Sequence, residues 1–223
     1  MSGLLKSSIG RKFAMALSAL FLMIFLLQHF AINILSVFSE NAFNAASHFM
    51  GTFWAVQFIL QPVLIIGILF HFTMGIVLEI QNRKARTVKY ASNSSGANST
   101  WVSRNMIWTG LIIEAFIVIH MSKLWWHEMM VKYINPIAED PTRYYKDLTE
   151  HFESPVIVGI YIVAFIFLAL HLLHGFNSAF QSIGANNKYT KALKGFSKVY
   201  SIGIPLGFIF IALFHYIKFI SGQ

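Results

Sequence analysis

Five long apolar stretches limit the fold of this chain more than any other feature of its sequence. They cover residues 13–37, 53–80, 105–126, 155–181 and 199–220. A helix that rises about 1.5 Å per residue needs about 20 apolar residues to cross a bilayer core, and each stretch is at least that long. Because 56% of the residues are hydrophobic and only 12% are charged, the composition is also that of a membrane protein. The sequence predicts one all-α integral membrane domain over residues 1–223, a bundle of five transmembrane helices.

The charged residues predict the orientation of the bundle. The 17 lysines and arginines exceed the 9 aspartates and glutamates, but the excess is distributed by loop and forms no single patch. Basic residues precede the first stretch, follow the second and follow the fourth, whereas the other loops carry most of the acidic residues. The positive-inside rule therefore predicts a cytoplasmic N-terminus and a periplasmic C-terminus. Since the basic residues follow membrane topology, nucleic acid is not an expected partner.

Histidines lie in all five stretches, and those well inside the first four hydrophobic runs fall at two depths. His215, near the outer end of the fifth stretch, is most simply an interfacial residue. His29 and His120 lie ~22–24 Å from the cytoplasmic face along their helices, while His71 and His174 lie ~10–14 Å from it. Ionisable residues at membrane depth are functional candidates, and facing imidazoles are a common way for a helical bundle to hold haem iron. The pattern predicts an inner pair, His71 with His174, and an outer pair, His29 with His120, each binding one haem.

His171 competes with His174 as the inner ligand on the fourth stretch. The two histidines are three residues apart, which places them ~60° apart on nearly the same helix face. Gly175 follows His174 directly, and Gly67 and Gly75 flank His71, so a flat macrocycle could approach the backbone at these positions. Depth and the adjacent glycine favour His174, with His171 as the alternative.

The sequence contains no cysteine. Thiolate-bound iron–sulfur clusters and covalent c-type haem attachment within this chain are therefore excluded. The predicted cofactors are two haems b.

Further residues near the ends of the stretches are candidates for contacts with cofactors. Arg11 and Arg104 precede the first and third stretches and could bind the propionates of the inner haem, although both could equally be interfacial anchors. Trp54 and Gln57, at the outer end of the second stretch, offer an aromatic surface and a hydrogen-bonding group for a quinone. Trp126 and His127, which we expect to cap the third helix, offer the same combination. An aromatic belt would explain the tryptophans without a ligand.

Several short segments resemble the cytochrome b subunit of succinate dehydrogenase and fumarate reductase, in the single-anchor, two-haem form of Bacteroidetes-like bacteria. These are SIGRK at residues 8–12, EIQNRKAR at 79–86, HGF at 174–176 and QSIG at 181–184. The resemblance implies inner ligands His71 and His174 and outer ligands His29 and His120.

The same resemblance implies partners and a cellular role. It implies a flavoprotein with FAD and an iron–sulfur protein docked on the cytoplasmic face, with menaquinone exchanged near the outer haem. The chain would then lie, surrounded by lipid, in the bacterial inner membrane, and would link the tricarboxylic acid cycle to the respiratory chain. It would contain no succinate or fumarate site of its own.

Two other functions remain open from the residues alone. A dihaem anchor of a formate dehydrogenase or hydrogenase would use the same histidines but would not share the short segments. A non-redox metal transporter would place its histidines along one water-lined path instead of at two depths.

The predicted orientation can be tested with a reporter fused after Gln223. We expect alkaline phosphatase at this position to be active, because an odd number of spans brings the C-terminus to the periplasm. A fluorescent protein that folds only in the cytoplasm should stay dark there. The reverse pattern would refute the orientation.

Overall fold

The computed structural model of the protein describes residues 7–85, 105–134, 140–185 and 189–222, and its regular elements in these ranges are all helices. Five helices are long and apolar enough to cross a membrane, as the sequence predicts. We number the helices of the described residues in chain order. They are α1 (Ser8–Phe38), α2 (Glu40–Thr52), α3 (Val56–Lys84), α4 (Met106–Ile134), α5 (Arg143–His151), α6 (Pro155–Ser182) and α7 (Thr190–Ile220).

The side-chain contacts give the directions of the spanning helices. On α6 and α7, Phe165 stacks on Phe208 with ring centroids 5.1 Å apart, while Phe176 meets Tyr200 at 5.2 Å, so the two helices are antiparallel. The Tyr200 hydroxyl donates to the backbone oxygen of Met23 on α1. The buried core therefore lies where α1, α6 and α7 meet, and the outward faces of the helices remain apolar, as lipid contact requires.

Helices α1 and α3 are also antiparallel and lie close together. A Cβ atom on Gly67 would come within 2.8 Å of the Phe21 ring, and one on Gly75 would lie 3.6 Å from Met15. At Gly67 the missing side chain thus makes room for a phenylalanine of the neighbouring helix. Close packing of helices explains this glycine directly.

We call the end of the bundle where α1 begins the N-side and the end where α7 finishes the C-side. Two short helices that the apolar pattern does not predict, α2 and α5, lie at the C-side. Ser39 caps α2 by accepting a hydrogen bond from the backbone N–H of Ala42, at 3.2 Å. The backbone N–H of Tyr145 on α5 donates to Asn44 on α2, at 2.8 Å, and so ties the two helices together.

Helix α4 is longer than its apolar stretch and continues to Ile134 through two π-helical turns. Trp126 and His127 therefore lie within the helix, and the expectation that they cap it is wrong. The added turns place Glu128 between Lys132, at 2.7 Å, and Arg143 of α5. Arg143 also pairs with Asp147 at 3.1 Å. This ion cluster fixes α5 against the C-side end of α4.

Replacement of Glu128 by glutamine tests the role of the ion cluster. The Glu128 side chain is only 17% exposed and forms ion pairs with Lys132 and Arg143. Because glutamine would leave both cations without a carboxylate partner, we expect the variant to lose about 1–3 kcal/mol of unfolding free energy. Thermal unfolding in detergent would measure the loss. The matched control is Glu150→Gln, whose ion pair with Lys146 spans 3.6 Å between exposed side chains and should contribute less than about 0.5 kcal/mol. Equal effects of both substitutions would contradict this role.

Candidate functional site

The outer pair of histidines meets between α1 and α4. The rings of His29 and His120 lie 5.8 Å apart, centroid to centroid, at an angle of 87°. Phe25 stacks on His29 at 5.5 Å, Phe116 stacks on His120 at 5.7 Å, and Phe208 of α7 lies 5.7 Å from His29. The structure thus brings together the two histidines that the sequence pairs, in aromatic surroundings.

The inner pair meets between α3 and α6, but its second member is His171. The rings of His71 and His171 are 6.4 Å apart at an angle of 70°. His174, which the sequence analysis favours, lies on the next turn and has no ring contact with His71 among the described contacts. A Cβ atom on Gly110 of α4 would lie 3.6 Å from the His171 ring, an ordinary van der Waals distance, so α4 packs directly beside that histidine. The geometry therefore favours His171 over His174 as the partner of His71.

Hydroxyl groups fix the orientation of both inner imidazoles. The Nδ1 atom of His71 lies 3.0 Å from Ser18 Oγ, and Nδ1 of His171 lies 3.1 Å from Thr109 Oγ1. Each hydroxyl already donates its one proton to a backbone oxygen three residues earlier, at 2.9 Å. The hydroxyl must then accept from Nδ1–H, which leaves an unprotonated Nε2 on each ring. This is the tautomer that binds a metal through Nε2.

The outer imidazoles are oriented differently. The Nδ1 atom of His120 lies 3.0 Å from the Tyr161 hydroxyl, which also lies 2.8 Å from Nε2 of His151. The side-chain amide of Asn33 donates to the backbone oxygen of His29 at 2.8 Å and lies 3.5 Å from both ring nitrogens, so it selects neither of them. His120 is therefore linked by two hydrogen bonds to α5, at the C-side.

The two levels are separated by the same interval on two helices. On α1, Ser18 marks the inner level and His29 the outer level; on α4, Thr109 and His120 do so. Each of these pairs is eleven residues apart in the sequence. At about 1.5 Å per residue the levels are roughly 16 Å apart, more than the ~10 Å expected from the apolar stretches.

The ring separations suit a metal held between each pair. A metal atom coordinated by an imidazole lies about 2 Å from the ring nitrogen. With ring centroids 5.8 and 6.4 Å apart, both imidazoles of a pair lie within reach of one shared metal atom. Because each pair supplies two nitrogen ligands and stands among flat aromatic rings, its donor set fits a metal whose other ligands come from a macrocycle.

The other predicted residues are scattered. Arg11 lies, partly buried, in the first turns of α1, and Arg104 lies outside the described residues. Trp54 and Trp126 point away from the bundle, with 61% and 59% of their surfaces exposed. The side-chain oxygen of Gln57 accepts a hydrogen bond from Tyr133, at 2.9 Å. The described contacts do not join Trp54 and Gln57 to either histidine pair.

His215, which the sequence places at the interface, lies deeper than expected. His215 is only 2% exposed, and its Nε2 atom lies 2.8 Å from Ser36. His151 is half-buried against Tyr161, and burial, followed by the charge of Lys123, lowers its pKa. Ser18, Thr109 and Tyr161 were also missed, because a hydroxyl carries no sequence signal for the histidine that it will meet.

Comparisons with protein-family models, with curated proteins and with solved structures find no match to this chain. The resemblance of the short segments to a respiratory cytochrome b subunit therefore stays a prediction. The geometry of the histidine pairs is the independent basis for a functional assignment.

Proposed function

We propose that this chain is the dihaem cytochrome b anchor of a succinate:menaquinone oxidoreductase or menaquinol:fumarate reductase. The observation that carries the proposal is the set of two imidazole pairs at two membrane depths, with both inner rings oriented by hydroxyls whose protons are already committed. A buried packing histidine can also have a hydroxyl partner, as His215 has in Ser36. The facing second imidazole at each level is therefore what distinguishes the two pairs.

In this proposal His71 and His171 would hold the inner haem b, and His29 and His120 the outer one. When bound, the haems would supply one-electron transfer between the two levels. The Nδ1–H donated to Ser18 or Thr109 keeps each inner ring from rotating and raises the basicity of Nε2. Apolar and aromatic neighbours keep water away from the ligands. The protein's own contribution is thus to position and insulate the ligands.

The type of enzyme rests on the resemblance of the short segments. It would place an iron–sulfur subunit and a flavoprotein with FAD on the N-side, which the charge distribution predicts to be cytoplasmic. Electrons would then pass between the N-side subunits and menaquinone near the outer pair. The proposal is supported if detergent-solubilised chain shows b-type bands in a reduced-minus-oxidised spectrum and co-purifies with both subunits. Absence of haem would refute it, whereas haem without these subunits would refute only the enzyme type.

The inner ligands can be assigned by single substitutions. We expect His71→Ala and His171→Ala each to lose the inner haem and to keep the outer one, since one imidazole does not hold iron in a six-coordinate bis-histidine site. His174→Ala is the matched variant on the same helix and should retain both haems. Pyridine haemochrome content per chain gives the measurement. Loss of haem in His174→Ala together with retention in His171→Ala would restore the choice made from the sequence.

The outer ligands can be tested by separating two activities of the assembled complex. His120→Ala should reduce quinone-linked succinate oxidation to background, because electrons would no longer reach the outer level. Oxidation with an artificial dye acceptor should survive, since the dye takes electrons from the soluble subunits. His48→Ala, on α2, serves as the control and should keep both activities. Quinone-linked turnover that persists in assembled His120→Ala complex would place the quinone on the N-side.

A further inference from the structure

The hydroxyl of Tyr161 lies between two imidazoles that come from different helices. It is 3.0 Å from Nδ1 of His120 on α4 and 2.8 Å from Nε2 of His151, the last residue of α5. Tyr161 is only 3% exposed, and its hydroxyl makes no other hydrogen bond to the described residues. Because a phenol has one proton, Tyr161 can donate to only one of the two imidazoles and must accept from the other.

Two arrangements of the protons satisfy all three side chains. In the first, His151 donates from Nε2 to Tyr161, and Tyr161 donates to Nδ1 of His120. A neutral His120 then carries its own proton on Nε2, which cannot bind a metal in that state. In the second arrangement, His120 donates from Nδ1 to Tyr161, and Tyr161 donates to Nε2 of His151. Only this arrangement leaves Nε2 of His120 unprotonated and able to bind a metal.

The outer level therefore differs from the inner level in what selects the tautomer. Ser18 and Thr109 each donate their proton to a backbone oxygen of their own helix, so neither hydroxyl has a second arrangement. The Tyr161 proton has no backbone acceptor among the described residues, and its direction depends on which nitrogen of His151 is protonated.

We propose that His151 is a positioning residue for the outer metal site: by accepting the Tyr161 proton, it holds His120 in the tautomer that binds a metal through Nε2. The inference rests on the proposed function and assigns a purpose to α5. This short helix is held at the C-side by the bond from Tyr145 to Asn44 and by the ion cluster, and it ends on His151. The anchoring of α5 thus becomes part of the outer site.

The hydrogen bond from His120 to Tyr161 should be visible in the potential of the outer haem. A bond from Nδ1–H makes Nε2 a stronger ligand, which stabilises ferric iron over ferrous iron. Tyr161→Phe removes the hydroxyl and keeps the ring, which contacts Phe116 at 4.8 Å and Phe165 at 5.8 Å. We expect the variant to favour the ferrous outer haem by about tenfold, equivalent to a rise of about 59 mV for a one-electron couple.

Substitutions of His151 test whether it acts as the acceptor. His151→Leu leaves the Tyr161 proton with only Nδ1 of His120 as a partner, so the outer potential should rise as in Tyr161→Phe. His151→Gln can place a carbonyl oxygen near the position of Nε2 and should keep the potential of the unmodified protein. The control is His48→Leu, which also removes a ring beside a tyrosine, Tyr144 at 6.1 Å, but has no described contact with either histidine pair. It should change neither potential.

The double variant Tyr161→Phe/His151→Leu distinguishes a positioning role from a structural one. If His151 acts through Tyr161, then His151→Leu should add no further shift once the phenol proton is gone. A role of His151 in packing alone would add its own shift in both backgrounds. Potentiometric titration of the assembled complex gives all of these values, and the inner haem of the same sample is the internal reference.

Three results would overturn the proposal. One is an unchanged outer potential in His151→Leu, another is an equal shift in His151→Leu and His151→Gln, and the third is additive shifts in the double variant. The comparison of leucine with glutamine at position 151 decides the question even if Tyr161→Phe fails to assemble. Missing haem bands in the unmodified complex would refute the proposed function together with this inference. Intact bands with any of the three results would refute only the role of His151.

Discussion

The architecture depends on one constraint, which is that backbone polar groups in a bilayer must be satisfied within the segment that carries them. This requirement makes each long apolar stretch a helix, and a helix converts residue number into depth at a fixed rise. The eleven-residue interval from Ser18 to His29 on α1 therefore equals the interval from Thr109 to His120 on α4 in depth as well as in sequence. Because both helices rise by the same distance per residue, they place these side chains at the same two depths. The histidine pairs can therefore form without irregular backbone at those positions.

The same constraint explains how side chains are oriented inside the bundle. A hydroxyl in an apolar helix satisfies itself on the backbone oxygen one turn earlier, as Ser18 and Thr109 do. Because its one proton is already donated to that backbone oxygen, the hydroxyl can only accept a second hydrogen bond. An imidazole in contact with the hydroxyl must therefore donate from a protonated ring nitrogen. His71 and His171 thus acquire a defined tautomer from a bond between a hydroxyl and its own helix. The cost of leaving a polar group unpaired in a dry environment then holds the arrangement in place.

The sequence predicts the depth of a side chain along its helix well, but it predicts the rotation of that helix about its axis poorly. The five spans and the pairing of His29 with His120 follow from apolar length and residue counting, and the structure has both. The choice between His171 and His174 depends on a rotation of ~60° about α6, and in the structure the contact of Thr109 on α4 with His171 fixes that rotation. Helices α2 and α5 lack an apolar stretch of spanning length. Their positions come from contacts such as Asn44 with Tyr145, which no local pattern encodes.

The two levels differ in how they connect to the rest of the molecule. At the inner level each Nδ1 atom contacts a hydroxyl, and that hydroxyl donates to a backbone oxygen of the helix that carries it. The hydrogen bonds of the inner pair therefore stay within the bundle, and we call this pair closed. At the outer level the Tyr161 hydroxyl contacts both His120 and His151, so the hydrogen bonds continue to α5. We call this pair open. In the proposed function a haem held by a closed pair would exchange electrons with its neighbours, while the pair itself offers no donor to a further ligand. An open pair can do both, which supports the proposed order: the inner pair only transmits electrons, and the outer pair meets the quinone.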